Sequence, residues 1–187
     1  MTEAVSGRPT YYEVKDAWET DVIRQLLKVG CDPNSRGYGG KTPLFDSSRR
    51  DTTEILINAG ADVNARDEDG RISLMSFTAP TATLLAAGAD ARAQANDGET
   101  PLHHASADAV PLLVAAGGDP NAQDNEGNTP LHFNARLDLP DTISVLIASG
   151  ADSNLKNRVG LLPYDVVRRQ KSRDARRTLP KPPERWF

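Results

Sequence analysis

The chain has 187 residues, 38% hydrophobic and 26% charged, a soluble, foldable composition sized for one domain or one small array. No apolar run approaches the ~20 residues needed to span a bilayer, and Cys31, the one cysteine, excludes an internal disulfide and a cysteine-built metal site. The net charge of −4 hides an asymmetry: twelve Lys/Arg stand against twenty-three Asp/Glu before Lys156, and ten against three from there on, which argues against a nucleic-acid binder. The first residues lack a basic stretch followed by an apolar one, so no secretory leader is expected, and a cytoplasmic location follows.

A pattern recurs along the chain. A Leu or Ile pair precedes a glycine at Leu26-Leu27 with Gly30, Leu56-Ile57 with Gly60, Leu84-Leu85 with Gly88, Leu112-Leu113 with Gly117 and Leu146-Ile147 with Gly150. These glycines are 30, 28, 29 and 33 residues apart. After each comes a form of Asp-x-Asn, at 32–34, 62–64, 119–121 and 152–154, with Asp90-Ala91-Arg92 as the exception. A polar turn then ends in Gly40, Gly70, Gly98, Gly127 or Gly160, and Thr-Pro-Leu follows at 42–44, 100–102 and 129–131. Ile72-Ser73-Leu74 and Leu162-Pro163-Tyr164 fill that slot more loosely.

Each part has a physical role. Threonine is a good N-cap and proline suits the first helical position, where no N–H is needed, so Thr42, Thr100 and Thr129 should start helices. Small residues after them allow close packing. The Leu pairs lie on a second helix, and the following glycine supplies its left-handed C-terminal residue.

This pattern resembles the ankyrin repeat, whose motif reads G-x-T-P-L-H-x-A and later L-L-x-x-G-A-D-x-N. The match is clear over about residues 20–165. It implies an all-α solenoid of stacked helix–turn–helix repeats with projecting hairpin loops, in a single domain over 1–177. The repeats fall at about 8–40, 41–70, 71–98, 99–127 and 128–160, with a C-terminal cap at 161–177 and a Pro-rich tail at 178–187. A full ankyrin repeat has ~33 residues. From the Thr slot to the glycine after the Leu pair there are 21 residues in the last repeat, but 18, 16 and 17 in the three before it. One or both helices must therefore be about a turn shorter there, making the stack thinner in the middle. Pro111 is expected to open a second helix and Asp21 to cap one. At the ends, Tyr11, Tyr12 and Trp18 should cover the first repeat, and a basic helix near 172–177 should close the last. The tail, 178–187, should be extended or flexible, with Trp186 folded back on the final helices and Arg185 near the acidic body.

No catalytic arrangement stands out. Gly37, Gly39 and Gly40 sit in a turn slot, not between a strand and a helix as a phosphate loop requires. His103 and His104 lack the spacing of zinc-protease ligands. No enzyme activity, cofactor or metal is expected. The resemblance gives His103 and His132 structural hydrogen bonds, and leaves His104 as a binding residue or an ordinary exposed histidine.

The resemblance also implies a non-enzymatic protein-interaction module, a monomer with a protein partner, that binds through hairpin tips and the groove of its first helices. The groove positions are Asp46, Ser76, His104 and Phe133, with Arg49, Arg50 and Arg136 one turn along. The tips include Tyr38, Lys156 and Arg158. Phe133 either packs on the neighbouring first helix or contacts a partner, and the arginines either bind or pair with acidic tips. An alternative is an immunity protein that inhibits a toxin or lytic enzyme; an enzyme with a novel site is the third reading.

Overall fold

The structure, a computed structural model, describes residues 20–170 and 174–181. Tyr11, Tyr12, Trp18, Arg185 and Trp186 lie outside the described residues. Among the described residues every regular element is helical. The second helices of the repeats are α1 (Thr20–Lys28), α2 (Arg50–Asn58), α3 (Thr81–Ala86), α4 (Ala109–Ala115) and α6 (Pro140–Ala148). The first elements differ. In three repeats they are single 3-10 turns, Pro43–Asp46, Ser73–Met75 and Pro101–His104, and only the last repeat has a full helix, α5 (Pro130–Arg136). The missing residues thus come chiefly from the first helix. A 3-10 turn closes with i to i+3 bonds and needs fewer residues, as in Phe45 N–H to the Thr42 carbonyl (2.9 Å) and His103 N–H to the Thr100 carbonyl (3.0 Å). The longer repeat reaches an i to i+4 bond, Phe133 N–H to the Thr129 carbonyl (3.1 Å).

Two expectations about helix starts are corrected. Pro111 is the third residue of α4, which Ala109 opens through a bond from its N–H to the Ser106 carbonyl (3.0 Å). Proline is tolerated there because first-turn N–H groups have no acceptor within the helix. Asp21 lies inside the first turn of α1, where its carboxylate pairs with Arg24 at 3.0 Å.

The Leu-pair and glycine signature is a helix stop. In α6, Gly150 N–H reaches the Ile147 carbonyl (3.1 Å) and Ala151 N–H reaches the Leu146 carbonyl (3.0 Å), the double bond that closes a helix through a left-handed residue. Gly150 has φ +95°. Leu146 and Ala151 are both buried, the apolar contact that accompanies this stop. Cys31 fills the alanine position in the first repeat and is buried, as a small residue there should be.

Asp-x-Asn joins one repeat to the next. The aspartate accepts the N–H two residues on, as Asp32 Oδ1 does from Asn34 (2.8 Å). The asparagine then donates to the carbonyl of the glycine ending the following helix, Asn34 to Gly60 (2.8 Å) and Asn121 to Gly150 (3.1 Å). Its own oxygen accepts from Asp62 N–H and Asp152 N–H, each at 2.7 Å. Arg92 performs this role where the motif departs, donating from Nε to the Gly117 carbonyl (2.9 Å).

The described residues pack as two compact bodies, 20–74 with 78–89, and 75–77 with 90–181. In the first, α2 packs on α1 and α3 around Ile23, Leu44, Leu56, Ile72 and Leu84. In the second, the core is Leu102, Leu113, Leu131, Ile143 and Leu146, with α5 between the Pro101–His104 turn, α6 and α7 (Pro163–Gln170). The closing helix α8 (Asp174–Thr178) packs on α6 and α7. Asp138, left-handed at φ +56°, accepts Ala175 N–H at 2.9 Å. The first tail residues are neither extended nor flexible: Thr178 ends α8, and Leu179, an apolar side chain with a core to join, is 3% exposed.

Leu102 and Leu131 are fully buried, so Leu102→Ala or Leu131→Ala should each cost roughly 2–5 kcal/mol in urea melts. The Thr slot offers a sharper contrast. Thr129 Oγ1 lies 2.9 Å from His132 Nδ1. Thr42, with Phe45 in place of that histidine, has a buried hydroxyl without a partner. Thr129→Val should lose about 1 kcal/mol, whereas Thr42→Val should be neutral or stabilising in the same melts.

Candidate protein-binding surface

In the first body, Tyr38 begins a 3-10 turn in a hairpin and is 86% exposed. Asp46 ends its 3-10 turn, exposed. Arg49 and Arg50 do not stand one turn along a first helix. The repeat is too short to extend that element, so Arg49 takes the N-cap position of α2 and Arg50 opens it. There Arg50 pairs with Glu54 at 2.7 Å. Both line a groove of about 460 Å³ with Ile57, Asn58, Ala82 and Ala86, on the second-helix side.

In the second body, Lys156 and Arg158 occupy the last hairpin with exposed side chains. Their backbones join it to the preceding hairpin: Arg158 N–H donates to the Glu126 carbonyl (2.9 Å), and Gln123 donates to the Lys156 carbonyl (3.2 Å). Ser76 follows the Ser73–Met75 turn, half-buried.

His104, Phe133 and Arg136 are brought together. The His104 and Phe133 ring centroids are 4.9 Å apart, edge to face, and the Arg136 guanidinium carbon lies 4.8 Å from the Phe133 centroid. His104 is not an exposed histidine. Its Nε2 meets Glu99 Oε2 at 2.6 Å, and both residues are buried, since a carboxylate drawn into the fold needs a partner. Phe133 does pack on the preceding first element, 6.4 Å from His103 as well as against His104, yet stays half-exposed.

Sequence reasoning missed Phe77. Its ring stands 5.6 Å from His104 and stacks on Phe133 at 6.4 Å with an interplanar angle of 28°. It is 45% exposed. The signal lies one residue beyond the groove position Ser76: Phe77 is the only Phe, Tyr or Trp between Phe45 and Phe133. Phe77, His104, Phe133 and Arg136 therefore form an aromatic shelf with one edge in water and one cation on it. Such rings and arginines are the residue types that concentrate binding energy.

His103 and His132 hold the frame beneath. Thr100 N–H donates to His103 Nδ1 (3.0 Å), so Nδ1 carries no proton and Nε2–H donates to the Asn128 carbonyl (3.1 Å). His132 repeats this between Thr129 N–H (3.1 Å) and the Leu161 carbonyl (2.9 Å). Both imidazoles are neutral connectors between one repeat and the next, and burial lowers the pKa of each.

A family model for three ankyrin-repeat copies matches residues 75–157, and one for a single ankyrin repeat matches 39–68. The chain belongs to the ankyrin-repeat family. Ankyrin repeats generally mediate protein–protein interaction and are typically non-enzymatic. Among curated proteins, ankyrin repeat-containing protein P1E11.10 of Schizosaccharomyces pombe is 36% identical over 59 residues, 30% of this chain and 28% of that protein. Potassium channel KOR2 of Oryza sativa subsp. japonica is 35% identical over 57 residues, 29% of this chain and 8% of that protein. The chain thus spans less than a third of the length of either relative. No helix among the described residues is long and apolar enough to cross a membrane.

The ankyrin histidines predict a pH dependence. Their ordinary pKa is 6.5 and the folded value lies lower. Above about 6.5 both states are neutral and stability is whole. As pH falls below it, the unfolded chain takes up protons that the folded chain refuses, and stability drops until pH passes the folded value. Urea melts at pH 7 and pH 5 should show a smaller loss in the His103→Gln/His132→Gln variant, whose amides do not titrate, than in the wild type. Equal losses would show that the imidazoles are not held neutral.

Proposed function

We propose that the chain is a non-enzymatic interaction module whose main docking surface is the shelf formed by Phe77, His104, Phe133 and Arg136. The observation that carries this is the stacking of half-exposed Phe77 on Phe133 beside an exposed arginine. Grouped apolar surface of this kind marks contact sites more reliably than scattered single residues. His104, anchored on Glu99, fixes the floor between the two phenylalanines and reduces the side-chain ordering that binding must supply. Ser76, next in sequence to Phe77, and the exposed Lys156 and Arg158 of the last hairpin are further candidate contacts, and Tyr38 offers an aromatic hairpin tip of its own. Asp46, Arg49 and Arg50 have weaker support, since Arg50 is engaged with Glu54 on the second-helix side.

A photo-cross-linking phenylalanine analogue at Phe77 should capture a partner protein in cells. The same analogue at Leu112, 41% exposed on α4, should not. Equal capture at both positions, or capture only at Leu112, would move the docking surface elsewhere.

A further inference from the structure

Arg136 brings a positive charge to the shelf, and no carboxylate among the described residues forms an ion pair with it. Residues 75–77 and 90–181, the body that carries the shelf, hold twelve Asp/Glu and eleven Lys/Arg and are close to balanced in charge. Arg92 is engaged with the Gly117 carbonyl. Arg136 is exposed, and its one described interaction is the contact with the Phe133 ring at 4.8 Å. The carboxylate of the shelf, Glu99, is buried against His104. Arginine presents five N–H donors in a fork that matches a carboxylate. Resting on a ring, it loses less freedom when it binds.

We infer that the shelf takes a protein segment presenting one Asp or Glu carboxylate beside an apolar side chain, the carboxylate meeting Arg136 and the apolar group meeting Phe77 and Phe133. This rests on the shelf being the docking surface. Charges farther away than about 8 Å are largely screened at physiological salt, so a single contacting carboxylate gains the arginine with little opposition.

A random-peptide display library panned on the full chain tests this. Wild-type protein should enrich peptides with an Asp or Glu next to an aromatic or aliphatic residue, and Phe77→Ala should abolish their binding. Replacing that acid by its amide should weaken binding roughly ten- to a hundredfold, the range for a lost charge-assisted bond. Arg136→Glu, folded by circular dichroism and thermal melting, should instead enrich Lys or Arg at the same place. If Phe77→Ala abolishes binding but the peptides show no acid, or keep it against Arg136→Glu, the carboxylate inference falls while the docking surface stands. Enriched peptides indifferent to Phe77→Ala, or no enrichment at all, would overturn both.

Discussion

The fold depends on how the exposed end of each second helix is closed. The last carbonyls of a helix have no partner within it, and these second helices run only six to nine residues, so the ends form a large fraction of each. Two are satisfied from within, by N–H groups that fold back through the left-handed glycine. The glycine's own carbonyl is satisfied from outside, by Asn34, Asn64, Arg92 or Asn121 of the repeat before. One glycine thus ends a helix and offers the handle by which its neighbour is held. Position in the chain becomes position in the stack through that carbonyl.

His103 and His132 make the same kind of link on the first-element side. A neutral imidazole is suited to it because one nitrogen can accept from the N–H at the start of a turn while the other donates to the next repeat. Phe45 and Met75 occupy the corresponding slots earlier in the chain and cannot do this, which is why Thr42 keeps a hydroxyl without a partner. Three of the four shelf residues, His104, Phe133 and Arg136, stand on the repeats that carry the histidine link, and Phe77 comes from the repeat before them. His103 is an edge contact of Phe133, so a residue that organises the frame also limits how the binding ring can move.

The architecture was readable because Thr-Pro-Leu, the Leu pair, glycine and Asp-x-Asn each have a local physical cause and recur in phase. The shortened repeats were countable from the same landmarks. Counting did not say which helix would give up the residues, because that depends on whether a short segment closes as a 3-10 turn or an α-turn within its packing. That uncertainty displaced Arg50 onto a second helix. Phe133 and Arg136 were readable as neighbours, being three residues apart on one helix. The pairing of His104 with Glu99 spans five residues around a turn, and Phe77 reaches the shelf from an earlier repeat; neither follows from spacing alone.

The joint at Arg92 shows what such departures do to interchangeability. A Cβ at Gly117 would come within 2.7 Å of the Arg92 guanidinium, and one at Gly118 within 2.9 Å of the Leu113 carbonyl. The other repeats carry alanine or cysteine where this one has Gly118. The repeat ending in Gly117-Gly118 is therefore shaped to the arginine before it and to its own tightly closed helix. Shuffling this segment with a sister repeat would set a bulky guanidinium against a joint built for asparagine, or an asparagine against the joint built for arginine. Although the repeats read as copies, their order is written into the connections, and the array behaves less like interchangeable bricks than like keyed ones.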